Sequence, residues 1–511
     1  MTASHPRHRR ALVVPAGMAM ATALAFLPNT AATAAPADGR PAAAAEAGAD
    51  ALSYVVNVHG GHGAPAHVKK AIAKAGGTIV TSYDKIGVIV VHSSNPDFAE
   101  TVRKVRGVQS AGNTRNAPLP SAATQDMGTP KVLSAAEAAE AGAEAAEGED
   151  PLQGLQWDLP AIKADKAHEK SLGSAKVTVG VIDTGVDDTH PDIAPNFDRD
   201  ASVNCVTGKP DTSDGAWRPG ADESPHGTHV AGEIAAAKNG IGMTGVAPGV
   251  KVSGIKVSTP AGYFYTEAVV CGFMWAAEHG VDVTNNSYYT DPWYFNCKDD
   301  PDQKALLEAV TRATRYAERK GTVNVAAAGN ENYDLAADEI TDPVSPNDGT
   351  ASDRVIDPDE CLDIPTQLPG VVTVAATGAK GLKSSFSNYG RGFIDIAAPG
   401  GDSTAYQPPA PPATSGLILG TLPGGGWGYM AGTSMASPHV AGVAALIKST
   451  HPYAPPAMVK ALLYAEADAT ACTDPYDING DGKADAVCEG PKNRNGFYGW
   501  GIADALDAVT W

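Results

Sequence analysis

The sequence predicts an α/β protein: a mostly parallel, twisted sheet with helices on both faces, preceded by a small α+β unit. Three observations carry this. The run Val177-Thr178-Val179-Gly180-Val181-Ile182-Asp183 and the run Thr322-Val323-Asn324-Val325-Ala326-Ala327 are apolar enough to be strands buried on both faces. Each ends in a turn signal, Thr184-Gly185 in one case and Gly329-Asn330 in the other. Strand and helix patterns then alternate from Val177 to Ile447, as a parallel sheet with crossover helices requires.

The N-terminus sets the compartment. Arg7, Arg9 and Arg10 precede an apolar stretch over residues 11–27, and small residues follow. This pattern reads as a Sec-type signal peptide over residues 1–35 and makes the protein secreted and extracellular. Pro15 and Gly17 interrupt the stretch, which is short for a spanning helix, and no membrane span is expected in the mature form. Six cysteines fit an oxidising compartment and allow fifteen pairings. Cys472 with Cys488 is the simplest, since they bracket one short loop. Cys297 with Cys361 comes next, both lying in segments that look like insertions, and Cys205 with Cys271 is then left by subtraction. Buried free thiols are the alternative. The net charge of −20 and pI near 5.0 argue against a nucleic-acid partner and favour basic or neutral substrates.

A chain of 511 residues is long for one domain. Residues 52–58, 78–83, 87–92 and 108–111 read as strands, and 66–75 and 96–106 as helices. That βαββαβ order, within a unit spanning 50–116, is ferredoxin-like. Residues 117–150 form an Ala/Glu-rich linker with no apolar face. The third unit, 151–511, carries the chemistry.

Within it, Gly432-Thr433-Ser434-Met435-Ala436-Ser437-Pro438-His439 places a serine where a glycine loop becomes a helix. Alone, Ser434 reads as a helix cap. A hydroxyl there also sits among unpaired N–H groups at the positive end of the helix dipole, a setting that suits a nucleophile generating an oxyanion. Asp183 ends its strand where open α/β sheets place their sites. His226-Gly227-Thr228-His229-Val230-Ala231-Gly232 puts a histidine at the lip of another helix. Acyl transfer needs a hydroxyl, an imidazole and a carboxylate, and these segments supply one of each in the order Asp, His, Ser.

These three segments resemble the active-site signatures of the subtilisin-like serine peptidases, which share that order. The resemblance runs from about Leu155 to the C-terminus and includes Tyr498-Gly499-Trp500-Gly501 near its end. It implies a secreted serine endopeptidase acting on protein or peptide substrates: Ser434 as nucleophile, His226 as base, Asp183 as its orienter, and Asn330 as oxyanion donor beside the Ser434 N–H. It implies that the 50–116 unit is an inhibitory propeptide, an intramolecular partner removed by self-processing between about Arg115 and Leu155. A monomer is expected. Ser287, Tyr288 and Tyr289 on one side, and Ala327, Ala328 and Gly329 on the other, are expected to bind substrate around an apolar primary pocket, with Tyr289 narrowing or capping it. Met435 is expected against the site, where oxidation would impair activity.

No cofactor is expected for catalysis, but structural calcium is a possibility. Gln153, Asp192 and Asn239 resemble the side-chain ligands of a strong calcium site in many subtilisins, although Lys238 adds a positive charge there. Asp477, Asn479 and Asp481, with Gly482 at the sixth position, echo an EF-hand loop. Cys488 rather than glutamate occupies its twelfth position, and an Asp/Gly-rich surface turn accounts for it equally. Two rival readings are a sedolisin-type acid peptidase and a catalytically inactive binding or adhesion protein on the same fold.

Overall fold

Seven parallel strands form the central sheet, in the spatial order Ile396–Pro399, Val371–Thr377, Val323–Ala327, Val283–Asn286, Thr178–Asp183, Lys251–Lys256, Val203–Asn204. The computed structural model describes residues 51–59, 63–116 and 129–510; the expected signal peptide lies outside them. No described helix is long and apolar enough to cross a membrane.

Side-chain alternation along the strands feeds two cores. Val179 and Val181 face the helices His226–Ala235 and Thr433–Thr450, while Ile182 and Ile255 face the helices Thr266–Glu278 and Pro301–Lys320. The helix Thr433–Thr450 is buried almost throughout. Its small residues let it lie close to its neighbours: a Cβ added at Gly442 would come 2.7 Å from Val246.

The N-terminal unit has the strands Leu52–Val58, Gly77–Tyr83, Val88–Ser93 and Val108–Asn113, and the helices Ala66–Lys74 and Phe98–Arg103. Its antiparallel sheet has Leu52–Val58 and Val88–Ser93 in the middle. Tyr54 and Val56 face its own core, whereas Val55 joins the apolar cluster under the helices Thr266–Glu278 and Pro301–Lys320. Polar contacts add to this seam. Asn57 Nδ2 donates to Ala305 O at 2.8 Å. Arg312 Nη1 donates to the carbonyls of Val58, Ile86 and Gly87 at 2.6, 3.0 and 3.1 Å. Arg115 pairs with the buried Glu267 at 2.6 Å.

The stretch 129–150 differs from a featureless linker. Lys131–Val132 adds an edge strand to the hairpin Ile418–Leu422/Gly426–Met430. Ala135–Glu144 is a helix with a reciprocal capping box between Ser134 and Glu137. It buries no residue fully, but Ala138 and Ala141 pack against a cluster containing Leu152 and Tyr429. Two alanines on one face are therefore enough to dock it. The six cysteines form Cys205–Cys271, Cys297–Cys361 and Cys472–Cys488.

Candidate active site

The neighbouring strands Thr178–Asp183 and Val283–Asn286 mark the point where strand order reverses. From the first the sheet extends to Lys251–Lys256, and from the second to Val323–Ala327. Such a switch point opens a crevice beyond the carboxyl ends of the strands. Asp183 ends one of these strands and Ser287 follows the other.

His226 is the first residue of its helix and is fully buried. Its Nδ1 lies 2.9 and 3.0 Å from the two Asp183 carboxylate oxygens. A carboxylate only accepts, so Nδ1 carries the proton and Nε2 keeps its lone pair; Nε2 is buried with no hydrogen-bond partner among the described residues. Thr184 joins the strand end to the helix start: its hydroxyl donates to Ser224 O at 3.1 Å and accepts the Gly227 N–H at 2.9 Å. Gly227 must be glycine, since a Cβ would fall 2.5 Å from Gly185 O.

Ser434 is the second residue of its helix. Its Oγ donates to Ser287 O at 3.3 Å, and no hydrogen bond joins it to His226. Catalytic contacts of this kind often tighten only on substrate binding. The Ser434 carbonyl would normally accept from the residue four positions on, but that is Pro438, which has no N–H. Ser287 Oγ donates to it instead, at 2.9 Å. Asn330 Oδ1 accepts from the Thr433 N–H at 2.8 Å and from the Thr433 hydroxyl at 2.9 Å. Its carbonyl end is thereby engaged, and its NH2 end is the one left to donate outward.

A cavity of about 360 Å³ opens beside Ser434. Of the residues expected to bind substrate, Ser287, Tyr288, Tyr289, Ala327 and Gly329 line it. Ala328 does not: following the strand's alternation, its side chain turns into a core with Tyr294 and Phe295. Tyr289 stays in the wall, its ring 4.7 Å from that of Tyr294 and its hydroxyl held by Asn347 Nδ2 at 2.7 Å. Gly329 adopts φ +99°, and a Cβ there would overlap the Tyr294 hydroxyl at 2.1 Å.

The expectation of an apolar pocket does not hold. Tyr294, Glu331, Val344, Asp363 and Thr433 also line the cavity, and two of these are acids. Asp363 is only 3% exposed, and its Oδ1 has no partner among the described residues. Glu331 Oε2 accepts the Asn330 N–H at 2.8 Å and contacts the Tyr294 hydroxyl. A lone acid between Leu362 and Ile364 was the only sign of Asp363 in the sequence.

A model of the subtilase family matches residues 174–501. The chain belongs to the subtilase family. That family is one of serine endopeptidases. It is 33% identical over 300 residues to subtilisin Savinase of Lederbergia lenta, a match covering 59% of this subtilase and 86% of Savinase. It is equally similar to M-protease of Shouchella clausii strain KSM-K16, of which the match spans 61%. Among solved structures, the subtilase fold here resembles the epidermin leader peptide processing serine protease of Staphylococcus aureus. The TM-score is 0.64 at 24% identity, over 90% of this chain and 98% of that one. It also resembles a Pseudoalteromonas arctica PAMC 21717 protease, with a TM-score of 0.51 at 28% identity over 71% and 98%.

Subtilases need no cofactor for catalysis, but many carry structural calcium. Of the side chains expected to bind it in this subtilase, Asn239 neighbours Asp192, whose Oδ1 is buried with no hydrogen-bond partner among the described residues. Asp192 Oδ2 is engaged by Trp427 Nε1 at 2.8 Å and by the Met243 N–H at 3.1 Å. Burial pushes Asp192 up to about 6 despite these donors. Asn239 Oδ1 accepts from the Ile241 N–H, and Gln153 Oε1 is 3.5 Å from the Thr244 hydroxyl. In the second loop, Asp477 accepts the N–H groups of Gly480, Asp481 and Gly482. Asn479 accepts from Asp481 and Asp481 from Lys483, the pattern of a self-satisfied Asp/Gly turn. Among the described residues no group of three or more His, Cys, Asp or Glu is placed to hold a metal.

Proposed function

We propose that this subtilase is a secreted endopeptidase that works through Ser434, His226 and Asp183, and that residues 50–116 are its self-removed inhibitor. The observation that carries the reading is the buried His226 imidazole, doubly engaged by Asp183 at Nδ1 and unpartnered at Nε2. An imidazole held in that tautomer is a general base. In the reaction His226 Nε2 takes the Ser434 proton as Oγ attacks the scissile carbonyl. Asp183 stabilises the resulting imidazolium. The Asn330 NH2 and the Ser434 N–H, at the start of a helix, hold the oxyanion. His226 then protonates the leaving amine, and water resolves the acyl-enzyme by the same route.

The segment after Asn286 offers backbone groups for pairing with an extended peptide, which needs no particular side chains. Secretion is supported by the basic and apolar N-terminus and by three disulfides. The inhibitor role of residues 50–116 is supported by the polar and apolar seam joining them to the helices Thr266–Glu278 and Pro301–Lys320.

Labelling of the secreted protein by an active-site fluorophosphonate tests the enzyme reading. The wild type is expected to take the label and Ser434→Ala to take none. A processed wild type that refuses the label is instead the inactive binding protein. Activity confined to acid pH would mark an acid peptidase.

A further inference from the structure

The cavity beside Ser434 has two acidic side chains in its wall, Asp363 and Glu331. Asp363 sits in its wall, 3% exposed, with a carboxylate oxygen that meets no donor. Buried carboxylates are normally paired, so an unpaired one facing a cavity points to a missing cation. Among the described residues no lysine or arginine lines this cavity. Glu331 adds a second acid to the wall, beside Tyr289 and Tyr294. Ser434 and Asn330 line the same cavity, so a side chain seated there belongs to the residue whose carbonyl is attacked.

We propose that this cavity is an acidic primary pocket, that it takes the lysine or arginine side chain preceding the scissile bond, and that Asp363 is its specificity-determining residue. The proposal rests on the proteolytic reading above. It departs from an apolar pocket because a neutral aromatic or leucine side chain would bury the Asp363 carboxyl still further and leave it unpaired. A guanidinium or ammonium supplies the missing donors and the opposite charge together. Burial first, and the neighbouring Glu331 second, hold the Asp363 carboxyl well above its usual range. An arriving cation reverses that shift and draws the carboxylate into its charged form.

The test uses the secreted, self-processed protein and peptide p-nitroanilides that differ only in the residue before the scissile bond: Arg, Lys, Phe or Leu. The better of Arg and Lys is expected to exceed both Phe and Leu in kcat/KM by at least ~10-fold, and which basic residue leads reports the depth of the pocket. In Asp363→Asn the ratio of basic to neutral kcat/KM is expected to fall by about 10²-fold. Benzamidine is an amidinium probe of the same pocket and needs no variant. It is expected to inhibit the wild type at least ~10-fold more strongly than neutral benzamide. A preference for Phe or Leu, an unchanged ratio in Asp363→Asn, or equal inhibition by the two probes overturns the acidic pocket while the protease stands. Failure to cleave any of the peptides together with failure to take a fluorophosphonate overturns the protease reading itself.

Discussion

Ser287 Oγ donates a 2.9 Å hydrogen bond to the carbonyl oxygen of Ser434. One residue thus links the strand end that borders the cavity to the residue proposed as nucleophile. The bond exists because Pro438 leaves that carbonyl without its helical donor. Ser287→Ala is expected to strand a poorly hydrated acceptor and lower stability by about 1–3 kcal/mol. It should also slow fluorophosphonate labelling by loosening the first turn of the helix. Chemical denaturation beside labelling rates measures both; an unchanged midpoint would count against the linkage.

Asn330 is held at its carbonyl end by Thr433. Replacing it with leucine removes the outward NH2 and is expected to lower kcat by about 10²–10³ with little change in KM, the loss seen for the equivalent donor in subtilisin. Thr433→Val should give a smaller loss, since it removes the hydroxyl but leaves the backbone N–H of residue 433 to hold the amide. Steady-state kinetics distinguish the two; equal losses would mean that Asn330 acts through structure alone.

Arg115 and Glu267 join the N-terminal unit to the helix Thr266–Glu278. Burial would raise Glu267, but Arg115 and Thr114 outweigh it and hold the carboxyl below its ordinary value of 4.5. The folded value lies below the unfolded one, so on acidification the unfolded chain takes up the proton first. The pair's contribution is therefore full above about 4.5 and is lost as pH falls through the depressed folded value. The Ser434→Ala precursor should lose thermal stability in that window, and Glu267→Gln in the same background should show a flatter profile. At neutral pH, Arg115→Met leaves a buried charge unpaired and should cost about 3–5 kcal/mol. An Arg115→Met precursor as stable as its parent would remove the pair from the seam.

Met435 is 1% exposed and packs in the core shared by the sheet and the helix that carries Ser434. Oxidation to the bulkier, polar sulfoxide has no room there and should impair activity. Peroxide treatment with mass-spectrometric counting of oxygen at Met435 checks this, and Met435→Leu should resist it. Full activity at complete oxidation would place the helix start elsewhere.

Self-processing predicts a different fate for two secreted chains. The wild type should lose residues up to a point between Arg115 and Leu155, and Ser434→Ala should keep them. Identical N-termini by mass spectrometry would assign the cleavage to another protease.

Legibility followed the strength of local signals. Thr178–Asp183 and Val323–Ala327 are buried on both faces, so their sequences are apolar throughout and readable without the fold. His226 and Ser434 are marked by glycine before or after them at helix starts. Asp363 carries no such mark, because it reaches the cavity only through the arrangement of a two-residue strand, Cys361–Leu362, and the turn after it. Ala328 was misplaced by one step of strand alternation, a register that only the paired neighbours decide. The docking of Ala135–Glu144 was not legible, since two alanines make no visible stripe in an Ala/Glu-rich linker.

The disulfide Cys297–Cys361 gains a meaning from where it lies. It joins two short strands, Asn296–Cys297 and Cys361–Leu362, two residues before Asp363. None of the three disulfides includes a residue adjacent to Asp183, His226 or Ser434. A reducing medium is therefore expected to loosen the cavity wall at Asp363 before it disturbs Asp183, His226 or Ser434. On the proposed reading, reduction is expected to cost selectivity between basic and neutral residues sooner than it costs fluorophosphonate labelling.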